Sequence, residues 1–273
     1  MDRDDASKPE FASWDRYTWF SQQIMHEHRY VWGADIAAFL DTVLATIRNR
    51  EIALGKDMIL YRAQLGIDWV EFDEVAGEEP VGYGATRMKP RPRRATEGRA
   101  NPAGMPVLYL GTTEQTVLSE IRPWVGASAS VAQFKLVRTL RALDLSRGHG
   151  RSSFTHIGFR HLMGDTQPTA DEKEEAVWID VDNAFSRPVT KTDDYADYAP
   201  TQILAELFRR EGYDAIAYKS QFGDRGFNVA VFNVADADPI NCAPYEVTEI
   251  DVKFREIGNR WFFKDDSASA SDQ

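Results

Sequence analysis

Four short stretches place polar side chains where a chain turns, and chemistry could be done from these positions. Tyr61-Arg62 closes a β-like run. Gly98-Arg99-Ala100-Asn101-Pro102-Ala103-Gly104 forms a turn before a run holding Tyr109. Glu120 lies one helix further on, and Tyr218-Lys219-Ser220 ends a later run before a glycine-containing turn. By their types alone, an Arg or Glu at an element end is ordinarily a surface ion pair, because charges stay solvated. Ser220 reads in the same way as a turn residue. Standard signatures add nothing stronger. The chain has no Walker-type phosphate loop, no Gly-x-Gly-x-x-Gly, no His-Glu-x-x-His and no Gly-x-Ser-x-Gly. His26-Glu27-His28 has the wrong spacing for a helical zinc pair, which needs ligands about one turn apart. His149, His156 and His161 show no metal spacing either, so no metal site is expected.

The elements that must position these residues show in the periodicity. Ile36, Phe39, Leu40, Val43, Leu44 and Ile47 recur at helical spacing, with Asp35 placed to cap the helix and Gly55 to end it. The aromatic-rich stretch 14–32 reads as a partner helix, so residues 1–56 form a helical extension. Beyond it come β-like runs at 58–63, 107–111, 130–136, 214–218 and 228–233. Thr112-Thr113-Glu114-Gln115 has capping-box spacing, and the helix it opens should stop before Pro123. A second helix begins near Pro200, carries Ile203, Leu204, Leu207 and Phe208 on one face and closes at Gly212; a third spans about 171–185. Strands and helices do not alternate regularly, which predicts an α+β fold rather than a doubly wound sheet. The stretch 71–101 is acidic first and basic later, with prolines between, and reads as a long loop. Its functional reading is a flap that brings positive charge to an anionic ligand.

Composition sets the class. With 273 residues, 43% apolar and 12% aromatic, the chain is globular and can bury a core without staples. Its single cysteine, Cys242, excludes an internal disulfide and fits a reducing, cytoplasmic setting. Residues 1–10 are polar and acidic, unlike a signal peptide, and no apolar run approaches the roughly 20 residues of a membrane span. Lys plus Arg total 32 and Asp plus Glu 43, a formal charge of −11 that argues against non-specific nucleic-acid binding.

Together the turn stretches resemble a known family. Tyr61-Arg62-Ala63, the run 99–110 (Arg-Ala-Asn-Pro-Ala-Gly-Met-Pro-Val-Leu-Tyr-Leu), Thr116-Val117-Leu118-Ser119-Glu120-Ile121-Arg122-Pro123 and Tyr218-Lys219-Ser220 look like the RES domain. That family is named for an Arg, a Glu and a Ser, matched here by Arg62, Glu120 and Ser220. The resemblance covers about 57–235, and the domain organisation it suggests is a helical extension (1–56), a RES-type unit (57–263) and a disordered tail (264–273). Residues 1–56 resemble more weakly the HEPN-like helical segment of some longer members.

The resemblance implies an ADP-ribosyltransferase-like fold and an activity that consumes NAD+, in toxins that a cognate antitoxin blocks. NAD+ would then be the substrate, with no further cofactor. Arg62 would grip the pyrophosphate bidentately, and Arg99 would supply a second grip. Glu120 would hold the ribose hydroxyls and stabilise the oxocarbenium ion. Ser220, a weak nucleophile without an adjacent base, would position substrate. Tyr61 and Tyr109 are candidates for stacking on a base, and Gln202, Asn228 and Asn101 for polar contacts near the substrate. An alternative is a mono-ADP-ribosyltransferase. Many arginine-modifying members carry two glutamates separated by one residue, and position 118 here is Leu118. A HEPN-type nuclease needs a His near Arg48-Asn49-Arg50, where none stands. A catalytically dead nucleotide binder conflicts with the joint presence of Arg62, Glu120 and Ser220. The apolar stripe of the extension must be covered by the catalytic unit, a second subunit or an antitoxin.

Overall fold

In the computed structural model the described residues are 9–71, 77–164, 166–187, 195–221, 226–252 and 254–259; the expected tail at 264–273 lies outside them. The seven helices among them are α1 (Arg16–His26), α2 (Ala34–Thr46), α3 (Ala85–Met88), α4 (Glu114–Glu120), α5 (Ser153–Met163), α6 (Ala170–Ser186) and α7 (Ala199–Arg210). The first strands are β1 (Glu51–Leu54), β2 (Ile59–Leu65), β3 (Asp68–Glu71), β4 (Glu78–Val81) and β5 (Leu108–Gly111). They are followed by β6 (Ser128–Leu136), β7 (Leu140–Leu145), β8 (Ala215–Lys219), β9 (Phe227–Val231) and β10 (Ala237–Glu246). Eight strands make one mixed sheet in the order β1-β7-β8-β9-β5-β2-β6-β10, and β3 and β4 pair separately. Only β7 and β8 run parallel. The fold is α+β, as the irregular alternation of elements predicts.

The sheet is nearly two sheets. β5 pairs with β9 over four positions and β2 with β6 over seven, yet β2 and β5 share one registered pair, Tyr61 with Gly111. On either side of that pair the two halves diverge. Each half keeps its own packing. The face of β8 and β9 bearing Ile216, Tyr218 and Ala230 packs under α6, α7 and the amino-terminal helices. The opposite face, with Leu108, Leu110, Ala217 and Val229, joins Leu60 and Phe134. A small cluster of Ala63, Val117 and Val131 seats α4 over β2 and β6.

The amino-terminal helices belong to the main core. Tyr17, Phe20 and Ile24 of α1 and Ile36, Phe39, Leu40 and Val43 of α2 are buried with Trp178, Phe185 and Phe208. Phe20 stacks on Phe39 with ring centroids 4.5 Å apart. The apolar stripe read from the sequence is therefore covered within the chain, whereas the expected helix ends differ. Gly33 is the N-cap of α2 and Asp35 sits in its first turn without a capping bond. The helix stops at Thr46, a 3-10 turn follows, and residues 51–54 form β1 against β7 instead of helix. Gly55 thus follows a strand. The later helices form where the sequence places them, and α6 is capped by a reciprocal box of Thr169 and Glu172. Gly212 (φ +82°) lies just past α7 in the left-handed region. The stretch 71–101 contains β4 and α3 and so is not loop throughout; its residues 72–76 lie outside the described ones.

A buried ion pair ties the 3-10 turn to α6. Arg50 Nη1 donates to both carboxylate oxygens of Asp182 (2.7 and 2.9 Å) and to the carbonyl of Asp144, and its guanidinium lies 4.4 Å from the Trp178 ring. Gly148 N donates to the same carboxylate. Burial pushes the Asp182 carboxyl up to about 6, and Arg50 opposes that rise. Removing one partner leaves the other charge stranded. Arg50→Leu should lower unfolding stability in urea by about 3–5 kcal/mol, and Arg50→Leu/Asp182→Leu by clearly less.

Candidate active site

A cleft of about 390 Å³ opens where the sheet halves diverge. β2 lends it Arg62 and Ala63, β5 lends Tyr109 and Leu110, β8 lends Tyr218 and β9 lends Asn228. Val117, Glu120, Ile121 and Arg122 come from α4 and its end, Gly98 and Arg99 from the preceding turn, and Tyr198 from the residue before α7. The strand register explains part of this grouping. Tyr218 pairs with Asn228, Asn228 with Gly111 and Gly111 with Tyr61, so one row crosses four strands on one face.

Glu120 is aimed by its helix. Thr113, Thr116, Val117 and Glu120 follow helical spacing along one face of α4, with Thr116 and Val117 buried. Thr113 caps the helix by accepting from Thr116 N at 3.1 Å. The reciprocal glutamate or glutamine of a capping box is replaced by the Thr116 hydroxyl, 2.7 Å from that of Thr113. Gly111 lets the helix approach: a Cβ there would lie 2.6 Å from Val117 Cγ1. At the far end, Glu120 Oε1 accepts from Ser220 Oγ at 2.8 Å and from Asn228 Nδ2 at 2.6 Å. Ser220 and Asn228 are both 4% exposed. Two buried donors thus fix one carboxylate oxygen, and no hydrogen bond is made to Oε2 among the described residues.

The cationic wall is less satisfied. Arg62 Nη1 and Arg99 Nε are buried with no hydrogen-bond partner among the described residues. Burial lowers the Arg62 guanidinium to about 10, which leaves it charged at neutral pH. Burial raises the Tyr218 phenol to about 12, against the pull of Arg99, whose guanidinium lies 5.8 Å from that ring. Burial raises Tyr109 as well. Uncompensated buried donors cost free energy; both guanidinium groups also line the cleft and give that wall its positive charge.

The turn carrying Arg99 is braced from three sides. Tyr109 Oη accepts from Ala100 N at 3.0 Å and donates to Asn101 Oδ1 at 2.7 Å. Asn101 Nδ2 donates to the carbonyls of Thr96, Pro102 and Met105. Gln202 Nε2, on α7, donates to the carbonyls of Gly98 and Asn101, both at 3.0 Å. Gly98 is required by this closeness, because a Cβ there would lie 2.6 Å from Tyr109 Oη.

The structure therefore brings Arg62, Glu120 and Ser220 together, with Arg99, Tyr109 and Asn228 beside them. Four expected ligand contacts lie outside the cleft lining. Asn101 and Gln202 spend their amides on the turn and do not line the cleft, so they position Arg99. Tyr61 packs against Ala63, Val117 and Val131, away from the lining. Ser220 reaches the site through Glu120 and is itself outside the lining. Sequence reasoning did not single out Tyr198, Tyr218 or Arg122 as lining residues. Tyr218 had a signal in its place two residues before Ser220 at a strand end, and Arg122 in its place two residues after Glu120 in the family-like stretch; Tyr198 had none.

The family model described as "RES domain" matches residues 60–254. The chain belongs to the RES-domain family. Its RES domain thus includes both walls of the cleft and begins after α1, α2 and β1. Among solved structures, it is similar to a chain in "Crystal structure of the M.tuberculosis MbcT-MbcA toxin-antitoxin complex", at 16% identity and a TM-score of 0.39, over 73% of this chain and 90% of that one. No curated protein sequence matches it. Among the described residues no helix is long and apolar enough to cross a membrane, and no group of three His, Cys, Asp or Glu could hold a metal ion.

Tyr109→Phe tests the bracing directly. It leaves Ala100 N and Asn101 Oδ1 without the hydroxyl between them, so unfolding stability should fall by about 1–3 kcal/mol. Urea denaturation followed by tryptophan fluorescence measures it.

Proposed function

We propose that this RES domain degrades NAD+ by cleaving the bond between nicotinamide and ribose, and that it acts as a toxin restrained by a cognate antitoxin. The carrying observation is the pairing, in one cleft, of two guanidinium groups with unpartnered buried nitrogens and one carboxylate fixed by Ser220 and Asn228. A pyrophosphate offers acceptors to the guanidinium groups of Arg62 and Arg99 that line the cleft, and bidentate charge-assisted bonds suit both. Tyr109, Tyr198 and Tyr218 give aromatic faces for the ring systems on either side of a dinucleotide.

The chemistry suits a single carboxylate. When the C1′–N bond breaks, its electron pair passes to the pyridinium nitrogen and nicotinamide leaves neutral. No proton has to reach the leaving group, so the second carboxyl of an ordinary glycosidase is not needed. Glu120, with Oε1 held and Oε2 open, stabilises the positive charge developing on the ribose. A water or phosphate oxygen then bonds to C1′, and its proton is released to the carboxylate or to solvent. Ser220 and Asn228 act through Glu120 as positioning residues.

Purified protein should release nicotinamide from NAD+, measured by chromatography with and without phosphate. Glu120→Gln should lose about a hundredfold or more in kcat while keeping its fold. Arg62→Ala should lose about ten- to a hundredfold in kcat/KM, as expected for a charge-assisted contact. Intact NAD+ after long incubation with folded wild-type protein would sink the proposal. Label transferred from NAD+ to a macromolecule would instead identify an ADP-ribosyltransferase.

A further inference from the structure

We propose that Arg122 is a third guanidinium that contacts the anionic part of the substrate, and that the chain keeps it for that purpose at a position better suited to glycine. This deepens the catalytic reading and rests on its view of the cleft as a site for a pyrophosphate. Arg122 follows Ile121, the C-cap of α4, and its N–H donates to Ser119 O at 3.2 Å. Its φ is +47°, in the left-handed region. A Cβ in that conformation crowds the following carbonyl oxygen, so helix ends of this kind ordinarily take glycine. The next residue is Pro123, whose ring pushes the residue before it toward extended backbone. An arginine is disfavoured here on both counts.

The chain uses the glycine solution elsewhere. Gly212 takes a left-handed φ of +82° just past α7, where an added Cβ would meet nothing closer than Arg141 Nη1 at 3.9 Å. Space does not exclude a side chain there, so glycine serves the backbone alone. At the end of α4 the backbone makes the same demand, and the residue is an arginine. Three non-glycine residues among the described ones have a left-handed φ, Asp57, Arg93 and Arg122, and of these only Arg122 lines the cleft. Arg62 and Arg99 are half-buried there, while Arg122 is exposed at the mouth. What glycine could not supply at this position is the guanidinium. Two residues from Glu120, it offsets the repulsion that the carboxylate exerts on an anion entering the same cleft. Such backbone strain persists where the surrounding structure holds it for a ligand.

Calorimetric titration of inorganic pyrophosphate into the full chain, with thermal unfolding of the same samples, tests both halves of the proposal. Arg122→Gly should bind pyrophosphate about fivefold or more weakly, yet melt about 2–4 °C higher than wild type. Arg122→Asn, whose short side chain tolerates the left-handed region, should lose as much affinity. Arg122→Lys retains a positive charge and should keep the greater part of it. A wild type that does not bind pyrophosphate would overturn the proposal. So would a glycine variant that binds as wild type does or melts no higher, or a lysine variant as weak as the glycine one. Nicotinamide release from NAD+ by the wild type, measured alongside, judges the catalytic reading separately.

Discussion

Burying part of a guanidinium without a partner costs free energy, and this protein does so twice in one cleft. The rest of the site makes sense around that cost. The sheet halves meet through the single pair Tyr61–Gly111, which opens a gap without breaking either core. Arg62 follows that pair directly on β2, and Arg99 enters from a turn that Tyr109, Asn101 and Gln202 hold in place. Large packed clusters on both faces supply stabilisation that offsets the unpartnered buried nitrogens in the middle. Such a division is expected where geometry is kept for a ligand rather than for folding.

The electrostatics follow the same division. The chain as a whole is acidic, with a formal charge of −11, yet its cleft presents Arg62, Arg99 and Arg122 against one carboxylate. On the function proposed above, such a local cationic patch would act over short range on a compact anionic group, and the acidic surface would disfavour long polyanions. Glu120 Oε1 accepts from two buried donors, Ser220 and Asn228, which fixes the remaining oxygen in space. The amino-terminal helices contribute at one remove. α1 packs on α7, and α7 carries the Gln202 that braces the Arg99 turn.

Much of this fold was legible because it is local. The stripe on α2, the apolar face of α7 and the β-runs of β2, β5, β6, β8 and β9 are periodic signals that tertiary packing did not override. The missed strands have physical reasons. Glu51-Ile-Ala-Leu54 consists of residues that suit a helix and follows a helical stripe; only its pairing with β7 makes it a strand. β7 itself, Leu140-Arg-Ala-Leu-Asp-Leu145, lacks clean alternation because it is buried on both faces. β10 contains Pro239 and Pro244, which are tolerated because it lies at an edge. For the site, residue types alone gave only ion pairs and turns. Family resemblance pointed to Arg62, Glu120 and Ser220, but not to the division of labour among their neighbours. Asn101 and Gln202 are chemically fit to touch a ligand. Asn101 braces its own turn through neighbours one to eight residues away, whereas Gln202 reaches that turn only through tertiary packing of α7.

The most direct test is calorimetric titration of NAD+ into the Glu120→Gln protein, where binding is separated from turnover. The expected result is one NAD+ bound per chain, with affinity lost in Glu120→Gln/Arg62→Ala and in Glu120→Gln/Arg99→Ala. Absence of binding, or binding that survives removal of both guanidinium groups, would contradict a cleft built around a pyrophosphate.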